Sequence, residues 1–463
     1  MTATLAGAAS TGIYRMERQH VGLSELLGTE FRCDCGRSHD LTVRRFVYDA
    51  AAIDRLPDIV RQCAGHCVRA VVVADSRTWE VCGRRVLAAL KRTYEDTREV
   101  IIADGEFGSP ICDDATFQTL LARLREAKPE VLVAVGSGVV NDLCKWASFE
   151  LGMPYLVVAT AASMNGYAAA NVAATIAGVK VLLEARPPVA VIAEPQTIAG
   201  APHEMIQAGF GDTIAKHQSN TDWWMNHRLF GEYYCDFCAG IVSELEPLYL
   251  DRPEEIKEGD ASAVEGLFAA LFWSGVAMTL VGTSAPASGG EHLLSHTLDM
   301  IASVRRHRHD LHGRQVGVGT ILSAALYERI LAIEGPEFCA MPAQIDAGFW
   351  SGGAVAEAVA GQYEAKRGAW DAARRHLADR HAWDRLRAEL AERSRRPQTI
   401  RRWLERAGGA TGAADIGCSK EQLRGAVLHM HEIRKRFTVV DLAWMVGVLP
   451  DATDEILEQW LSC

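Results

Sequence analysis

Five short apolar runs, separated by segments of helical length, constrain the fold of this chain more than any other feature. The runs cover residues 71–74, 100–103, 131–135, 156–159 and 189–193 and are rich in valine, isoleucine and alanine. Strands that are apolar along their whole length are typical of a parallel sheet covered on both faces by helices. Parallel strands need crossover connections, which the intervening segments provide. We therefore predict an α/β domain built around a parallel sheet.

The pattern changes after about residue 195, where β-branched runs stop and helical periodicity takes over, as in residues 369–393. A chain of 463 residues is also too long for one hydrophobic core. We place the border within residues 193–203, which are rich in turn formers. The predicted organisation is an irregular extension at residues 1–40, an α/β domain at residues 41–198 and an all-helical domain at residues 199–463.

Charge and composition restrict the partners. The formal net charge of −11 argues against nucleic acid and anionic membranes as main partners. The apolar stretch 266–282 is slightly short for a membrane span and stands alone, so we expect a buried core helix. Because the start of the chain shows no secretory signal pattern, we expect a cytoplasmic protein with reduced thiols, including the pairs Cys33/Cys35 and Cys235/Cys238.

A glycine turn after the third apolar run indicates a nucleotide site. Gly136-Ser137-Gly138 lies between a strand and a helix, where backbone N–H groups and a helix N-terminus favour a pyrophosphate. Such a turn follows many parallel strands, so the motif is weak alone. Asp75, at the end of the first run, suits a ribose hydroxyl and disfavours a 2′-phosphate, which favours NAD over NADP, although its spacing suits a helix cap equally well. Thr160, Ser163 and Asn165 follow another strand and suit either ligand contact or a polar turn.

The helical half contains residues suited to a divalent metal. Asp212 lies early in a helical pattern, His292 and His296 are four residues apart on one helical face, and His312 follows a loop. One carboxylate and two imidazoles suit a zinc-type ion that keeps a position open for substrate. From the residues alone, His292 and His296 form either a ligand pair or one ligand and one group that contacts substrate. Nearby, Arg305, Arg306, Arg308 and Arg314, together with His307 and His309, form a locally basic stretch that suits either a phosphate or solvent.

Several segments together resemble the glycerol-1-phosphate dehydrogenases, a branch of the iron-containing alcohol dehydrogenase superfamily. The resemblance runs over nearly the whole chain and is carried by CDCGRSHDLTVRRFVY, ADSRTW, G-S-G-x-x-x-D-x-x-K, TAAS-x-x-G, GFGDTIAK, SGGEHLLSH, LHGRQVGVGT and KRFTVVDLAWMVGVL. It implies an N-terminal dinucleotide-binding α/β domain and an all-α C-terminal domain. It also implies NAD(P)H-dependent reduction of dihydroxyacetone phosphate to sn-glycerol 1-phosphate for phospholipid metabolism, and a homodimer.

The resemblance also assigns site residues. It places the metal on Asp212, His292 and His312, and substrate contacts on His296 and at position 165. It places NAD(H) or NADP(H) against one set of residues: Gly136, Ser137, Gly138, Val139, Val140, Asp142, Thr160, Ala161, Ala162, Ser163 and Ala169. Zinc is the metal expected first, with nickel or iron as alternatives.

This chain departs from the family pattern at two positions of the loop that begins with the TAAS motif at residues 160–163. Asn165 replaces an aspartate that lies against substrate, and Ala169 replaces a serine that lies against cofactor. An amide still forms hydrogen bonds but carries no charge. The departures favour a same-fold dehydrogenase of another polyol or phosphorylated ketone as the main alternative. A lyase or cyclase of the dehydroquinate synthase kind and a catalytically silent dinucleotide-binding relative are further alternatives.

Overall fold

The computed structural model describes residues 22–66 and 69–462, which form two compact units. We call them the α/β unit (residues 22–162, 166–172 and 183–201) and the helical unit (residues 163–165, 173–182 and 202–462). The first part of the predicted N-terminal extension, up to residue 21, lies outside the described residues. Its second part is not irregular, since residues 30–32 and 38–40 pair as a small antiparallel sheet.

The α/β unit is built on a parallel sheet. Within the described residues the sheet has six strands, in the order β3 (Arg45–Tyr48), β10 (Ala190–Ala193), β7 (Tyr155–Ala159), β6 (Val131–Gly136), β4 (Arg69–Asp75) and β5 (Asp96–Ile102). Every neighbouring pair is parallel. The five predicted runs all lie in strands of this sheet. The strand that the sequence did not reveal is the edge strand β3, whose residues are exposed or half-buried and therefore lack a long apolar run. The strands are β1 (Glu30–Arg32), β2 (Ser38–Asp40), β3 (Arg45–Tyr48), β4 (Arg69–Asp75), β5 (Asp96–Ile102), β6 (Val131–Gly136), β7 (Tyr155–Ala159), β8 (Asn171–Ile176), β9 (Val179–Glu184) and β10 (Ala190–Ala193).

Helices connect these strands, and their packing buries the sheet. Alternate residues of β4 and β6 are fully buried in one apolar cluster with the helices that follow Ile53 and Gly83. The helices of this unit are α1 (Leu56–Ala64), α2 (Ser76–Thr78), α3 (Arg84–Lys91), α4 (Asp114–Ala127), α5 (Gly138–Leu151) and α6 (Pro195–Ala199), with a π-helical segment at Trp79–Gly83.

The helical unit contains the remaining helices. They are α7 (His203–Ile214), α8 (Lys216–Phe230), α9 (Asp236–Glu244), α10 (Pro247–Leu250), α11 (Pro253–Glu258), α12 (Ala261–Val281), α13 (Gly290–Arg305), α14 (His312–Leu331), α15 (Gly353–Leu377), α16 (Arg380–Arg393), α17 (Pro397–Arg406), α18 (Lys420–His429), α19 (Val439–Met445) and α20 (Thr453–Trp460). The periodic stretch 369–393 is two helices and not one, because Asp379 accepts a hydrogen bond from the backbone N–H of His381 and starts α16.

Helix α12 contains the apolar stretch that the sequence singled out. It is 21 residues long and apolar enough to cross a membrane, but 78% of its most apolar window is buried inside the protein. It packs against α7, α9 and α10. Burial of this kind is typical of a core helix, and α12 is weak evidence for a membrane span.

Candidate functional site

Three side chains from three helices of the helical unit converge as a candidate metal centre. Asp212 on α7, His292 on α13 and His312 at the start of α14 each offer a ligand atom, and these atoms lie within 4.8 Å of one another. His292 Nε2 is 3.5 Å from Asp212 Oδ1, and the two imidazole centroids are 5.2 Å apart. The predicted ligands, separated by up to a hundred residues in the chain, are therefore neighbours in the fold.

Glycines explain how these helices approach so closely. A Cβ atom at Gly211, next to Asp212, would lie 2.1 Å from the carbonyl oxygen of Gly313, and one at Gly313 would lie 1.9 Å from that of Ala208. A Cβ atom at Gly319 would lie 2.2 Å from the carbonyl oxygen of Glu291. Because only glycine fits at these contacts, α7 and α13 can pack directly on the backbone of α14.

Neighbouring polar groups orient both histidines. His292 Nδ1 is 2.8 Å from Glu291 Oε1, which also accepts a hydrogen bond from the backbone N–H of Gly289. Ser295 Oγ donates to Gln315 Oε1 and lies 2.8 Å from His312 Nδ1, so the serine oxygen is the acceptor for an Nδ1–H group. Each Nδ1 is thereby engaged, which leaves Nε2 of each ring for a metal. Partners of this kind fix the tautomer of metal-binding histidines.

The charge state of the cluster suits a divalent cation. Burial alone would raise the pKa of Asp212, but Lys216 and then His292 outweigh it and hold that pKa well below its usual value. Lys216 Nζ lies 2.7 Å from Asp212 Oδ1, and Asp212 Oδ2 accepts the backbone N–H of Asn165 at 2.9 Å. Burial, followed by the charge of His292, lowers the pKa of His312 to about 3. An ionised carboxylate and a neutral imidazole are the states that bind metal, so these residues fit the metal that the sequence predicts.

His296 lies beside the cluster but is not part of it. Its ring centroid is 6.2 Å from that of His292 and 5.5 Å from that of His312. The side chain is 8% exposed, and among the described residues its Nδ1 has no hydrogen-bond partner. Of the two arrangements that the residues left open, the geometry favours the one in which His292, and not His296, joins the ligand cluster.

The candidate cofactor residues of the α/β unit gather at one edge of its sheet. Asp75 ends β4 and Gly136 ends the neighbouring strand β6, while Thr160 follows β7 and donates its backbone N–H to the Gly136 carbonyl at 3.2 Å. The chain adds β5 on one side of β4 and then β6 on the other, so β4 and β6 form a topological switch point. Open α/β sheets bind ligands outside the carboxyl ends of the strands at such a point.

The glycine turn leads directly into a helix, as predicted. Helix α5 begins at Gly138, so the N–H groups of its first turn have no acceptor within the helix. A Cβ atom at Gly136 would lie 2.7 Å from Val140 Cβ, which requires glycine there. The expected contact residues Ser137, Gly138, Val139 and Asp142 are half-buried. The other expected contacts in this unit, Thr160, Ala161, Ala162 and Ala169, are buried, as is Ser163 in the helical unit.

Two carboxylates of the expected cofactor set also have structural roles. Asp75 accepts hydrogen bonds from the backbone N–H groups of Arg77 and Thr78 and forms a capping box with Thr78. Asp142 Oδ1 lies 3.2 Å from the fully buried ammonium of Lys145, which also donates to the carbonyls of Gly166 and Asn171. The helix-cap interpretation of Asp75 is therefore correct, and a ribose contact would be an additional role.

Sequence reasoning missed the cations that act on His296. Burial first, and then the charges of Arg434 and Lys180 among others, hold its pKa well below the usual value. The basic stretch that the sequence offered instead is a surface feature: Arg305, Arg306 and Arg308 are exposed. Arg314 is held by Asp310 at 2.8 Å and by Gln207 at 2.5 Å. Lys180 was missed because it is an isolated cation, and Arg434, the first of three consecutive cations, because it lies far from the histidines in the chain.

Comparisons with known proteins agree with this architecture. Residues 47–202 match the family model described as iron-containing alcohol dehydrogenase. The structure of an iron-containing alcohol dehydrogenase from Thermococcus thioreducens aligns with a TM-score of 0.60 at 14% identity, covering 90% of this chain and 97% of that one. Glycerol dehydrogenase from Schizosaccharomyces pombe aligns with a TM-score of 0.58 at 14% identity, covering 90% of this chain and 91% of that one. The fold is therefore that of the iron-containing alcohol dehydrogenases.

Similar proteins of known name identify a family within the iron-containing alcohol dehydrogenases. The chain is 36% identical over 262 residues to glycerol-1-phosphate dehydrogenase (NAD(P)+) of Thermococcus kodakarensis, which covers 56% of this chain and 71% of that protein. It is 28% identical over 420 residues to the enzyme of the same name from Bacillus licheniformis, covering 90% and 93%. The chain belongs to the glycerol-1-phosphate dehydrogenase family.

Proposed function

We propose that this protein catalyses the reversible, metal-dependent reduction of dihydroxyacetone phosphate to sn-glycerol 1-phosphate with NAD(P)H. The observation that carries the proposal is the cluster of Asp212, His292 and His312 in a chain that is 28–36% identical to curated glycerol-1-phosphate dehydrogenases. Reduction at C2 of the ketone moves a hydride from the dihydronicotinamide to carbon and a proton to oxygen.

The metal would be held by Asp212, His292 and His312, with zinc expected first and nickel or iron as alternatives. A divalent ion supplies Lewis acidity, which polarises the carbonyl group and stabilises the negative charge that develops on its oxygen. Glu291 and Ser295 would keep the Nε2 atoms of the two imidazoles directed at the ion. The identity of the metal is open to test because carboxylate–imidazole sites accept several divalent ions.

His296 would donate a hydrogen bond to the substrate oxygen, and solvent would supply the proton that the product hydroxyl receives. Its imidazole is neutral near pH 7, its Nδ1 is unpartnered among the described residues, and it lies next to both histidine ligands. A neutral imidazole with one N–H group can donate a hydrogen bond to the substrate oxygen. Asn165, whose backbone N–H contacts Asp212, would add an uncharged amide next to the substrate.

The cofactor would bind along the edge of the α/β sheet. The N–H groups of Gly138, Val139 and Val140 at the start of α5 would face its pyrophosphate, and Asp75 would face the adenosine ribose. Because a carboxylate repels a 2′-phosphate, we propose a preference for NAD(H) over NADP(H). Ser137, Asp142, the 160–163 segment and Ala169 complete the proposed contact set.

The test is a comparison of ketones and cofactors on purified protein loaded separately with zinc and nickel. NADH and NADPH absorbance is followed with dihydroxyacetone phosphate and with unphosphorylated dihydroxyacetone, and His292→Ala serves as the blank. Metal-dependent oxidation with the phosphate ester alone would support the proposal. Absence of turnover with either ketone, despite bound metal and cofactor, would refute it.

One alternative is favoured by specific residues. Asn165 and Ala169, which replace an aspartate and a serine of the family pattern, suit a same-fold dehydrogenase of another polyol or phosphorylated ketone. Selective turnover of such a substrate in the same assay would favour this alternative.

The proposal also covers the oligomeric state, the cellular location and the metabolic role of the protein. From the family resemblance we expect a homodimer that works in the cytoplasm and whose product enters phospholipid metabolism. Analytical ultracentrifugation of the purified protein tests the dimer, and a monomeric sedimentation coefficient would contradict it.

A further inference from the structure

Two cations of the helical unit, Arg434 and Lys180, carry charges that act on His296. Arg434 follows the short 3-10 segment Met430–Glu432, and its Nη1 donates to Ser288 Oγ at 3.0 Å. Ser288 directly precedes the Gly289-Gly290 start of α13, the helix that carries His292 and His296. Arg434 is thus tied to the same end of α13 as the candidate metal ligand.

The second cation, Lys180, belongs to strand β9. Its neighbour Val179 and Arg434's neighbour Ile433 pack against one small apolar cluster that includes Met300. Met300 lies one helical turn after His296 on the same face of α13. The charges of Lys180 and Arg434 both act on His296, so two distant parts of the chain each bring a cation near the imidazole.

These cations lack the carboxylate partners that other buried cations of the helical unit have. Lys216 pairs with Asp212 and Lys366 with Asp441, both at 2.7 Å. Within residues 22–66 and 69–462, no carboxylate oxygen lies within 4.0 Å of a side-chain nitrogen of Lys180 or Arg434.

A second guanidinium adds to the local excess of positive charge. Arg436 Nη1 donates to the carbonyl oxygen of Ser288 at 3.0 Å, on the same residue that Arg434 contacts. Burial, and then the charge of Arg436, lowers the pKa of Arg434 to about 10. Glu291 acts on both arginines, and Glu232 and Asp222 also act on Arg436. Glu291 Oε1 is engaged by Gly289 and His292, and among the described residues Glu291 Oε2 has no hydrogen-bond partner. Partly buried like charges without a close counter-ion are costly, so the arrangement favours a bound anion.

We propose that Lys180 and Arg434 bind the phosphate group of a phosphomonoester substrate, with the imidazole of His296 between that phosphate and the reacting carbonyl. This inference rests on the proposed function and names the residues that distinguish the phosphate ester from its unphosphorylated ketone. Arg434 offers the planar fork of donors that suits phosphate oxygens, and Lys180 offers a point charge.

The kinetic test compares four variants of the metal-loaded enzyme. Lys180→Met and Arg434→Met remove the proposed ligands. Lys435→Met removes an exposed cation next to Arg434 and is the matched control, while Arg308→Met tests the rival surface stretch. Each charged hydrogen bond lost is expected to lower kcat/KM for dihydroxyacetone phosphate by about 10- to 150-fold, while Lys435→Met keeps the wild-type value. Arg434→Lys, which keeps the charge, should recover part of the loss.

A binding test separates this inference from the proposed function. Isothermal titration of the metal-loaded protein with inorganic phosphate, and separately with glycerol 1-phosphate, measures anion binding without turnover. Weaker binding of the ester in Lys180→Met and Arg434→Met, but not in Lys435→Met, supports the subsite even if the wild type reduces no ketone. If the two substitutions weaken binding of inorganic phosphate but not of glycerol 1-phosphate, the proposed subsite is refuted, since the residues would then bind another anion. Wild-type binding and kinetics in both variants, or a selective loss in Arg308→Met alone, would also overturn it.

Discussion

Replacing Gly313 by alanine should separate two of the candidate metal ligands without touching either of them. Gly313 follows His312 on α14, and its added Cβ would lie 1.9 Å from the carbonyl oxygen of Ala208 on α7, the helix of Asp212. The obstacle is backbone and not a flexible side chain, so no rotamer change relieves it. One helix must move away from the other.

The required movement is large on the scale of a metal site. An ordinary contact begins at 3.4 Å, so the 1.9 Å contact must open by about 1.5 Å. Metal–ligand distances tolerate only about 0.2 Å. Because altering an orienting partner alone costs about 10- to 100-fold in metal affinity, we expect Gly313→Ala to lose about 100-fold or more. Overpacking should also lower the free energy of unfolding by about 1–3 kcal/mol.

The assay is competition for zinc against a chromophoric chelator, paired with denaturant unfolding of the metal-free protein. Gly361→Ala is the matched control, because nothing lies within 4 Å of its added Cβ on helix α15. This control should keep wild-type affinity and gain about 0.5–1 kcal/mol of stability. If Gly313→Ala binds zinc as tightly as the wild type, the close approach of α7 and α14 does not set the ligand geometry and the reasoning fails.

Three further predictions concern single side chains. Ser295→Ala removes the acceptor for His312 Nδ1 and should weaken metal binding by about 10- to 100-fold in the chelator assay, with Ser323→Ala on α14 as a control expected to have no effect. The unfolded chain protonates His312 at about pH 6.5, but burial and the charge of His292 allow the folded protein to do so only near pH 3. The unfolded state therefore binds more protons between these pH values. The free energy of unfolding of the metal-free protein should fall as pH falls from about 6.5 to 3. An equally steep fall in His312→Gln would contradict this prediction. Asp75→Ala should lower the free energy of unfolding by about 1 kcal/mol because the helix cap is lost. If the variant discriminates between NADH and NADPH as the wild type does in steady-state kinetics, Asp75 has only that structural role.

The parallel sheet was predictable because its signal is local. β4, β6 and β7 are buried on both faces, so their sequences are apolar except at the two ends of β4. The edge strand β3 escaped because a strand with few buried residues needs no such run. The break between α15 and α16 was hidden for a related reason. Helical periodicity continues on both sides of Asp379, and the border is marked by the extended backbone of Asp379 and its capping hydrogen bond.

In the candidate site, too, some residues could be predicted from the sequence and others could not. Asp212, His292 and His312 could be named because metal chemistry restricts ligands to few residue types and the family motifs flag their positions. Their supporting groups could not, since a serine or glutamate acquires its role only when folding places it 2.8 Å from a ring nitrogen. The same limit hid Lys180, whose relation to His296 depends on packing between residues more than a hundred positions apart.

Charge location decides how an acidic protein can select a doubly charged phosphate ester. The net charge of −11 acts mainly from the surface, where salt screens it over about 8 Å at physiological ionic strength. A cation 4 Å from a phosphate contributes about 1 kcal/mol in water but about 4 kcal/mol at the effective dielectric constant of a site near the protein surface. Exposed Arg308 therefore adds little, whereas partly buried Lys180 and Arg434 act where screening is weak. Two such cations favour a phosphate locally, which is why we locate phosphate recognition next to His296 and not on the exposed basic stretch at residues 305–309.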